Sequence, residues 1–348
     1  MNRSLKVLSV AAIVAIFAIL ALLIVRSEPS RREATFFPMG GIPFKVVAYG
    51  RSAVEFDADM AAVKRRVEDL EQRFNRFKEG SELAAVNGLD PGSSLEISSD
   101  MQRIIALSRE WHGASLGAFD PTVTPLIELW RESGREGRLP DASRIAAARS
   151  MVGFDKVRVR GGKVRFARDG MSLDFGAIAK GLIADEVANL LMRRGVARGV
   201  IDAGGNGLAF GAGSFRFGIQ DPMKERGMLM GAVDVTMGGV VTSGSYERFV
   251  KIGGRRYSHI IDPRDGMPVE NGMIAATVVG GTGAGADSLA TALMVLGKDE
   301  GRRVVKSLEG YDAMLVEGGP LGPVVWVSAN LASRLVLTKE WAERVRLF

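Results

Sequence analysis

Two stretches of the chain carry residue types at spacings that could do chemistry. In "GGTGAGADSLATALMVLG", Asp287 and Thr291 stand four apart on a predicted helix, so they share one face near its N-terminus. A carboxylate and a hydroxyl are hard oxygen donors, suited to Mg2+ and not to soft metals. Two protein oxygens leave room for a backbone carbonyl, water and phosphate oxygens, the mixture Mg2+ prefers. The same spacing also fits a structural pair, with Asp287 complementing the helix dipole and Thr291 packing. The glycines of 280–285 resemble a phosphate cradle, but no Gly-Lys-Ser/Thr follows, so this is not a Walker A loop. In "LDFGAIAKGLIADE", Asp174, Gly176 and Lys180 surround another helix start, where free amides and an ammonium attract phosphate.

Three further positions stand out. His259 is one of two histidines in the chain and sits in "YSHIIDPRDGMPVENG" among Tyr257, Asp262 and Asp265. A neutral imidazole there could take a proton from a hydroxyl, and an imidazolium could steady a phosphate. His112, in "SREWHGAS", lies on a helix end and reads as structural or solvent-facing. Asp120 precedes Pro121 in "GAFDPTVTPLIELW"; the stiffened turn either presents the carboxylate at a surface or is an ordinary Asp-Pro turn. "DAGGNGLAFGAG" follows a strand, but its glycine spacing is wrong and no helix follows, which excludes a dinucleotide-binding unit.

These residues need elements to hold them. "FKVVAYG" has a strand pattern, and Asp57 is in place to cap the helix that follows. Phe56, Met60, Val63, Val67, Leu70, Phe74 and Phe77 recur at spacings of four and three, an amphipathic stripe. Further helices are expected over 99–115, from Asp141, over "AIAKGLIADEVANLLMRRG" to Gly195, and over "ADSLATALMVLG" to Gly297. Gly161-Gly162 and Gly253-Gly254 mark hairpin turns, and "GVIDAGG" reads as a buried strand. Short strands are expected over 207–280 and 310–337. Helices and strands mix without regular alternation, so the fold class is α+β.

Composition narrows the classes. The chain has 348 residues, net charge +6 and no cysteine. The missing thiols exclude disulfides, thiolate metal sites, cysteine nucleophiles and a lipobox. Basic residues are scattered singly, which argues against a nucleic-acid partner. Val7–Val25, "VLSVAAIVAIFAILALLIV", holds 19 residues with only Ser9 polar. As a helix it would span about 28 Å, one hydrocarbon core. We expect residues 1–6 as a short cytoplasmic tail, 7–25 as an uncleaved transmembrane signal-anchor, 26–35 as a polar linker and 36–348 as the catalytic domain. The charge count across the span is nearly balanced. Signal-anchor placement then puts the body on the periplasmic side of the inner membrane.

Nine stretches, in this order, resemble the ApbE-type FAD:protein FMN transferases: "FPMGGIPFKV", "FNRFKEGSELAAVN", "GAFDPTVTPLIELW", "VGFDKV", "LDFGAIAKGLIAD", "IDAGGN", "TSGSYERF", "YSHIIDPRDGMPV" and "ADSLATALMVLG". The resemblance runs from about Phe37 to Leu315. It implies an α+β fold of two lobes with FAD in the central cleft. It implies Mg2+-dependent transfer of FMN from FAD to a Thr or Ser hydroxyl of an exported or membrane acceptor, with release of AMP. The acceptor would carry a Ser/Thr-Gly-Ala-Thr/Ser-like motif and be a membrane redox-pump subunit. By the same resemblance the metal falls on the Ala177 carbonyl, Asp287 and Thr291. FAD contacts fall on Met39, Phe77, Ala118, Phe119, Asp120, Lys180 and Ile274, and His259 is the catalytic position. Family members often have tyrosine where Phe77 stands, a change that keeps stacking and loses a hydroxyl contact. "MGG" replaces the common Met-Gly-Thr, and nothing after about residue 318 matches. An Mg2+-dependent FAD pyrophosphatase giving FMN and AMP would use the same residues with water as acceptor.

Overall fold

The computed structural model of the chain describes residues 30–245 and 249–348. One nine-stranded sheet organises them, its strands lying side by side in chain order. They are β1 (Arg31–Phe36), β2 (Phe44–Tyr49), β3 (Arg198–Ala203), β4 (Asn206–Gly211), β5 (Gly238–Gly244), β6 (Met273–Gly280), β7 (Tyr311–Glu317), β8 (Val324–Val327) and β9 (Val345–Leu347). Neighbours pair antiparallel from β1 to β8, and β9 joins β8 in parallel. Successive side chains on a strand face opposite ways. Along β6, Ala276 and Val278 therefore enter one core while Ala275 and Val279 enter another.

The first core is the helical one. It is lined by α1 (Ala53–Phe74), α2 (Glu82–Asn87), α3 (Ser99–Ala114), α6 (Ala179–Arg193) and α7 (Gly283–Ser307). Between α3 and α6, α4 (Thr124–Glu136) and α5 (Ala142–Ser150) form a satellite cluster with the hairpin Phe249–Ile252/Arg255–Ser258. The α1 stripe behaves as its spacing predicts: Phe56, Met60, Val63, Val67, Leu70 and Phe74 are all buried. Its cap differs from expectation. Ser52, not Asp57, is the N-cap; it takes the Glu55 amide, and the Glu55 carboxylate returns to the Ser52 amide. That capping box starts the helix before Asp57 is reached. The helix stops at the Asn75 cap, so Phe77 falls beyond it and is 75% exposed.

The α+β expectation holds, with differences at both ends. The linker expected over 26–35 gives way at Arg31 to β1, an edge strand on β2. Its first three residues, Arg31, Arg32 and Glu33, are all charged, a composition that reads as tether and also protects a free sheet edge. The anchor expected over 7–25 lies outside the described residues; among the described residues no helix is long and apolar enough to cross a membrane. The helix over "ADSLATALMVLG" closes at Gly297 as expected: that glycine, at φ 71° and ψ −177°, is non-helical, and a second helical segment follows the kink to Ser307.

The residues after 318 complete the second core, adding Val325, Val327, Leu331 and Trp341 to residues from earlier strands. β8 and β9 extend the main sheet, and Leu335–Leu337 pairs with the strand Leu229–Val235. Trp341, from the short helix α9 (Lys339–Ala342, after α8, Ala329–Ala332), is 1% exposed among the valines of this layer. Its indole N–H donates to Asp221 Oδ2 at 2.8 Å. Trp341→Ala removes a large buried ring and the indole hydrogen bond to buried Asp221, leaving its Oδ2 with Lys224 Nζ at 3.4 Å. It should cost about 3–5 kcal/mol in urea unfolding.

Candidate active site

The site is built where α6 and α7 begin. The loop before α6 is fixed first. Asn87, the last residue of α2, brackets Leu173, donating to its carbonyl at 2.9 Å and accepting its amide at 2.7 Å. Asp174 accepts the Gly176 amide at 2.8 Å, pairs with Arg76 at 3.0 Å, and donates its own amide to Pro121. The sequence offered Asp174 as part of a phosphate-attracting helix start; here it shapes the loop.

That loop delivers Ala177 and Lys180 to Asp287. Lys180 Nζ lies 3.4 Å from Asp287 Oδ1 and donates to the Gly176 carbonyl at 3.1 Å. Asp287 is 3% exposed, and its Oδ2 accepts the Gly181 amide at 3.2 Å. The usual acceptor for that amide is the carbonyl four residues back, Ala177. Among the described residues the Ala177 carbonyl accepts no backbone hydrogen bond, so its oxygen is left for another partner. Thr291 lies one turn along α7; its hydroxyl donates to the Asp287 carbonyl at 3.3 Å and meets Ser243 Oγ at 3.3 Å. A carboxylate, a hydroxyl and an orphaned carbonyl form an all-oxygen donor set, which fits a hard cation such as Mg2+. Among the described residues no cluster of three or more His, Asp or Glu offers an alternative metal site.

The glycines of 280–285 do not cradle a phosphate. The Gly283 and Ala284 amides donate to Asp185 at 2.7 and 2.9 Å, and the Gly285 amide donates to the Thr282 hydroxyl at 3.0 Å. Their small size serves close packing instead. A Cβ at Gly181 would lie 2.1 Å from the Gly283 carbonyl oxygen, and one at Gly285 would lie 2.0 Å from the Tyr311 hydroxyl.

A second locus is a cleft of about 560 Å³ lined by His112, Gly117, Asp120, Gly153, Pro263 and Arg264, among others. Asp120 is buried and ties its walls together. It accepts the Thr122 amide and hydroxyl at 2.8 and 2.6 Å and the Phe154 amide at 3.2 Å, with His112 Nδ1 at 3.5 Å. Burial pushes its carboxyl above the usual range, against those hydrogen bonds and the His112 charge. Ala118 and Phe119 are buried beside it. His112 also meets the Phe119 carbonyl at 3.0 Å, the structural role its helix-end position suggested.

His259 is half-buried between Tyr257, in the satellite cluster, and Ile260, in the first core. The turn after it supplies Pro263 and Arg264 to the cleft. Its two aspartates are turn-formers: Asp262 pairs with Arg264 at 2.8 Å, and Asp265 accepts the Met267 amide at 2.8 Å. Phe77 stacks on Arg76, the residue that pairs with Asp174. Met39 sits at φ 51°; it and Leu116 are the two non-glycine residues with positive φ among the described residues. Both strained positions adjoin expected cofactor contacts, where such conformations concentrate. Ile274 stands apart. It sits at a register shift in β6, between Met273 and Ala275, and its side chain packs against the second core, whereas α7 belongs to the first. Asn87, Asp185 and Ser243 are site-building residues that the sequence did not single out; each acquires its role from a partner remote in the chain.

A sheet meander carrying two crossed helices, an oxygen-donor cluster at their starts and an adjoining cleft defines a class with known members. The ApbE family model matches residues 41–315, and the chain belongs to that family. The FAD:protein FMN transferase of Klebsiella pneumoniae (strain 342) is 29% identical over 306 residues, covering 85% of this chain and 87% of that protein. The FAD:protein FMN transferase of Treponema pallidum (strain Nichols) is 30% identical, covering 76% and 79%. Among solved structures, the apo form of Pseudomonas stutzeri flavinyl transferase ApbE superposes with a TM-score of 0.76 at 27% identity, covering 89% of this chain and 98% of that one. The ApbE protein of Thermotoga maritima gives 0.77 at 26% identity, covering 88% and 99%.

Two outcomes follow from this geometry. Gly181→Ala should force α6 and α7 apart and lower stability by about 1–3 kcal/mol in denaturant melts. Burial also pushes the Asp185 carboxyl up to about 6, against the Ala284 and Gly283 amides and the Arg103 charge, with Glu186 adding to the rise. The folded protein thus holds this proton more tightly than the unfolded chain. The linked stability is present at low pH and is lost as pH rises through about 6. Between about pH 4 and about pH 7.5, wild type should lose up to ~3 kcal/mol more stability than Asp185→Asn, as read by paired denaturation curves.

Proposed function

We propose that this transferase moves the FMN part of FAD onto a Thr or Ser hydroxyl of an acceptor protein and releases AMP. The observation that carries the reading is the buried Asp287 carboxylate held between Lys180 Nζ and the Gly181 amide, which leaves the Ala177 carbonyl without its usual partner, with the Thr291 hydroxyl one turn along α7. Those three oxygens would hold Mg2+, which when bound supplies neutralisation of charge on the pyrophosphate.

The chain's own residues have the following parts. Lys180, held beside Asp287, offers its ammonium to the phosphates. The acceptor oxygen forms a bond to the FMN-side phosphorus while the bond from that phosphorus to the bridging oxygen breaks; the electron pair leaves with AMP. His259 takes the hydroxyl proton, orients the hydroxyl or holds the phosphate. The 118–120 segment, Met39 and Phe77 hold the flavin nucleotide, with Ile274 as an outlying contact. The apolar run Val7–Val25 anchors the chain, with the catalytic body on the extracytoplasmic side. The acceptor is then an exported or membrane redox protein, in the reading a redox-pump subunit with a Ser/Thr-Gly-Ala-Thr/Ser-like motif.

The test is mass spectrometry of a peptide bearing that motif after incubation with the full chain, FAD and Mg2+. The expected result is a gain of one FMN moiety, cut by roughly 100-fold or more in Asp287→Ala. FAD converted to FMN and AMP with no gain on any motif peptide would replace transfer by hydrolysis. Intact FAD would overturn both.

A further inference from the structure

At the crossing of α6 and α7 each helix lends the other a carboxylate. Asp287 of α7 accepts the Gly181 amide of α6 at 3.2 Å. Asp185 of α6 accepts the Gly283 and Ala284 amides of α7 at 2.7 and 2.9 Å, from 98 residues away along the chain. Gly181 and Asp185 stand four apart, so one face of α6 carries both halves of the exchange. The helices touch backbone to backbone there: a Cβ at Gly283 would lie 2.6 Å from the Gly181 carbonyl oxygen.

A helix start does not need this arrangement. A local side chain at the N-cap ordinarily suffices, and Thr282 already fills that place by taking the Gly285 amide. Asp185 adds a part-buried carboxylate, which desolvation disfavours in its charged form. What it supplies beyond capping is register. The Ala177 carbonyl and Lys180 belong to the start of α6, while Asp287 and Thr291 ride on α7. The oxygen donors converge only if the two helix starts keep one relative position.

We infer that Asp185 is a positioning residue that locks the first turn of α7 onto α6 and so sets the geometry of the cation site. The inference rests on the Mg2+ reading of Asp287, Thr291 and Ala177. It makes the coupling reciprocal: if the clamp favours the cation, the cation must stabilise the clamp by the same free energy.

The experiment uses the full chain with Mn2+ alone as the probe, read by electron paramagnetic resonance, and Mg2+ by displacement. Asp185→Asn keeps the side-chain size but offers one acceptor oxygen to two amides. Its Mn2+ dissociation constant should rise about 10- to 100-fold, as for other residues that orient metal ligands. Excess Mg2+ should restore FMN transfer from FAD to the motif peptide, a rescue that a general packing defect would not show. A folded Asp185→Asn that binds Mn2+ as wild type does would overturn the inference and leave the metal reading standing. Wild type that binds no Mn2+ would remove the metal reading, and the inference with it. Should the variant fail to fold, hydrogen exchange in wild type decides. Added Mg2+ should slow exchange of the Gly283 and Ala284 amides at least 10-fold more than that of amides in the second core. Equal slowing would overturn the clamp.

Discussion

The structure depends on one close approach, the contact of the α6 and α7 backbones at Gly181 and Gly283. Two helix N-termini, both positive ends, meet there, an arrangement that is unfavourable unless negative charge lies between them. Asp185 and Asp287 supply it. Each sits on one helix and satisfies the other's free amides, so the repulsion between the ends becomes a reciprocal attachment. The main sheet serves this contact. β5 passes under α7 so closely that a Cβ at Gly239 would lie 2.8 Å from the Ala286 methyl. β5 also delivers the Ser243 hydroxyl to Thr291. A hard cation among these oxygens would extend the same electrostatic logic, placing positive charge where two carboxylates and aligned helix ends already balance one another.

How much of this could be read from the sequence follows from how local each interaction is. The α1 stripe, the Asp141 cap and the two Gly-Gly hairpins are properties of neighbouring residues, and the chain states them directly. So is the pairing of Asp287 with Thr291 on one helix face. The α1 cap was legible in principle, since Ser52-Ala-Val-Glu55 is a capping-box pattern, but the aspartate at position 57 competed for the same role. β1 was not legible as a strand, because a protected edge and a polar tether share one composition. The second core hid for another reason. β8, β9 and Trp341 are held by partners far back in the chain, and a few short apolar runs do not say which.

The carboxylates of the site show why residue type alone does not assign a role. Asp174, Asp120, Asp262 and Asp265 each stand near a glycine or proline in a way that suggests chemistry. Each also accepts backbone amides at a turn: Gly176 for Asp174, Thr122 and Phe154 for Asp120, Arg264 for Asp262, Met267 for Asp265. Aspartate suits both purposes, since its short side chain reaches an amide two residues on as readily as it reaches a ligand. Asp287 differs in what surrounds it. An ammonium, an amide drawn away from its helical partner and a hydroxyl all converge on or beside it, and no turn needs it.

That difference explains why the site holds its strain in the backbone and its charge in the core. Met39 and Leu116 adopt left-handed conformations that side chains disfavour, and Asp185 is a part-buried carboxylate whose charged form desolvation disfavours. None of these choices improves the packing of the sheet, and each would be relieved by a bland substitution. They persist beside the turns and helix starts that the resemblance assigns to the flavin nucleotide and the cation. The reciprocal caps tie the helix starts together: without Asp185 on the Gly283 and Ala284 amides and Asp287 on the Gly181 amide, the same oxygen donors would still be present in the chain, but only packing would fix the start of α6 relative to α7.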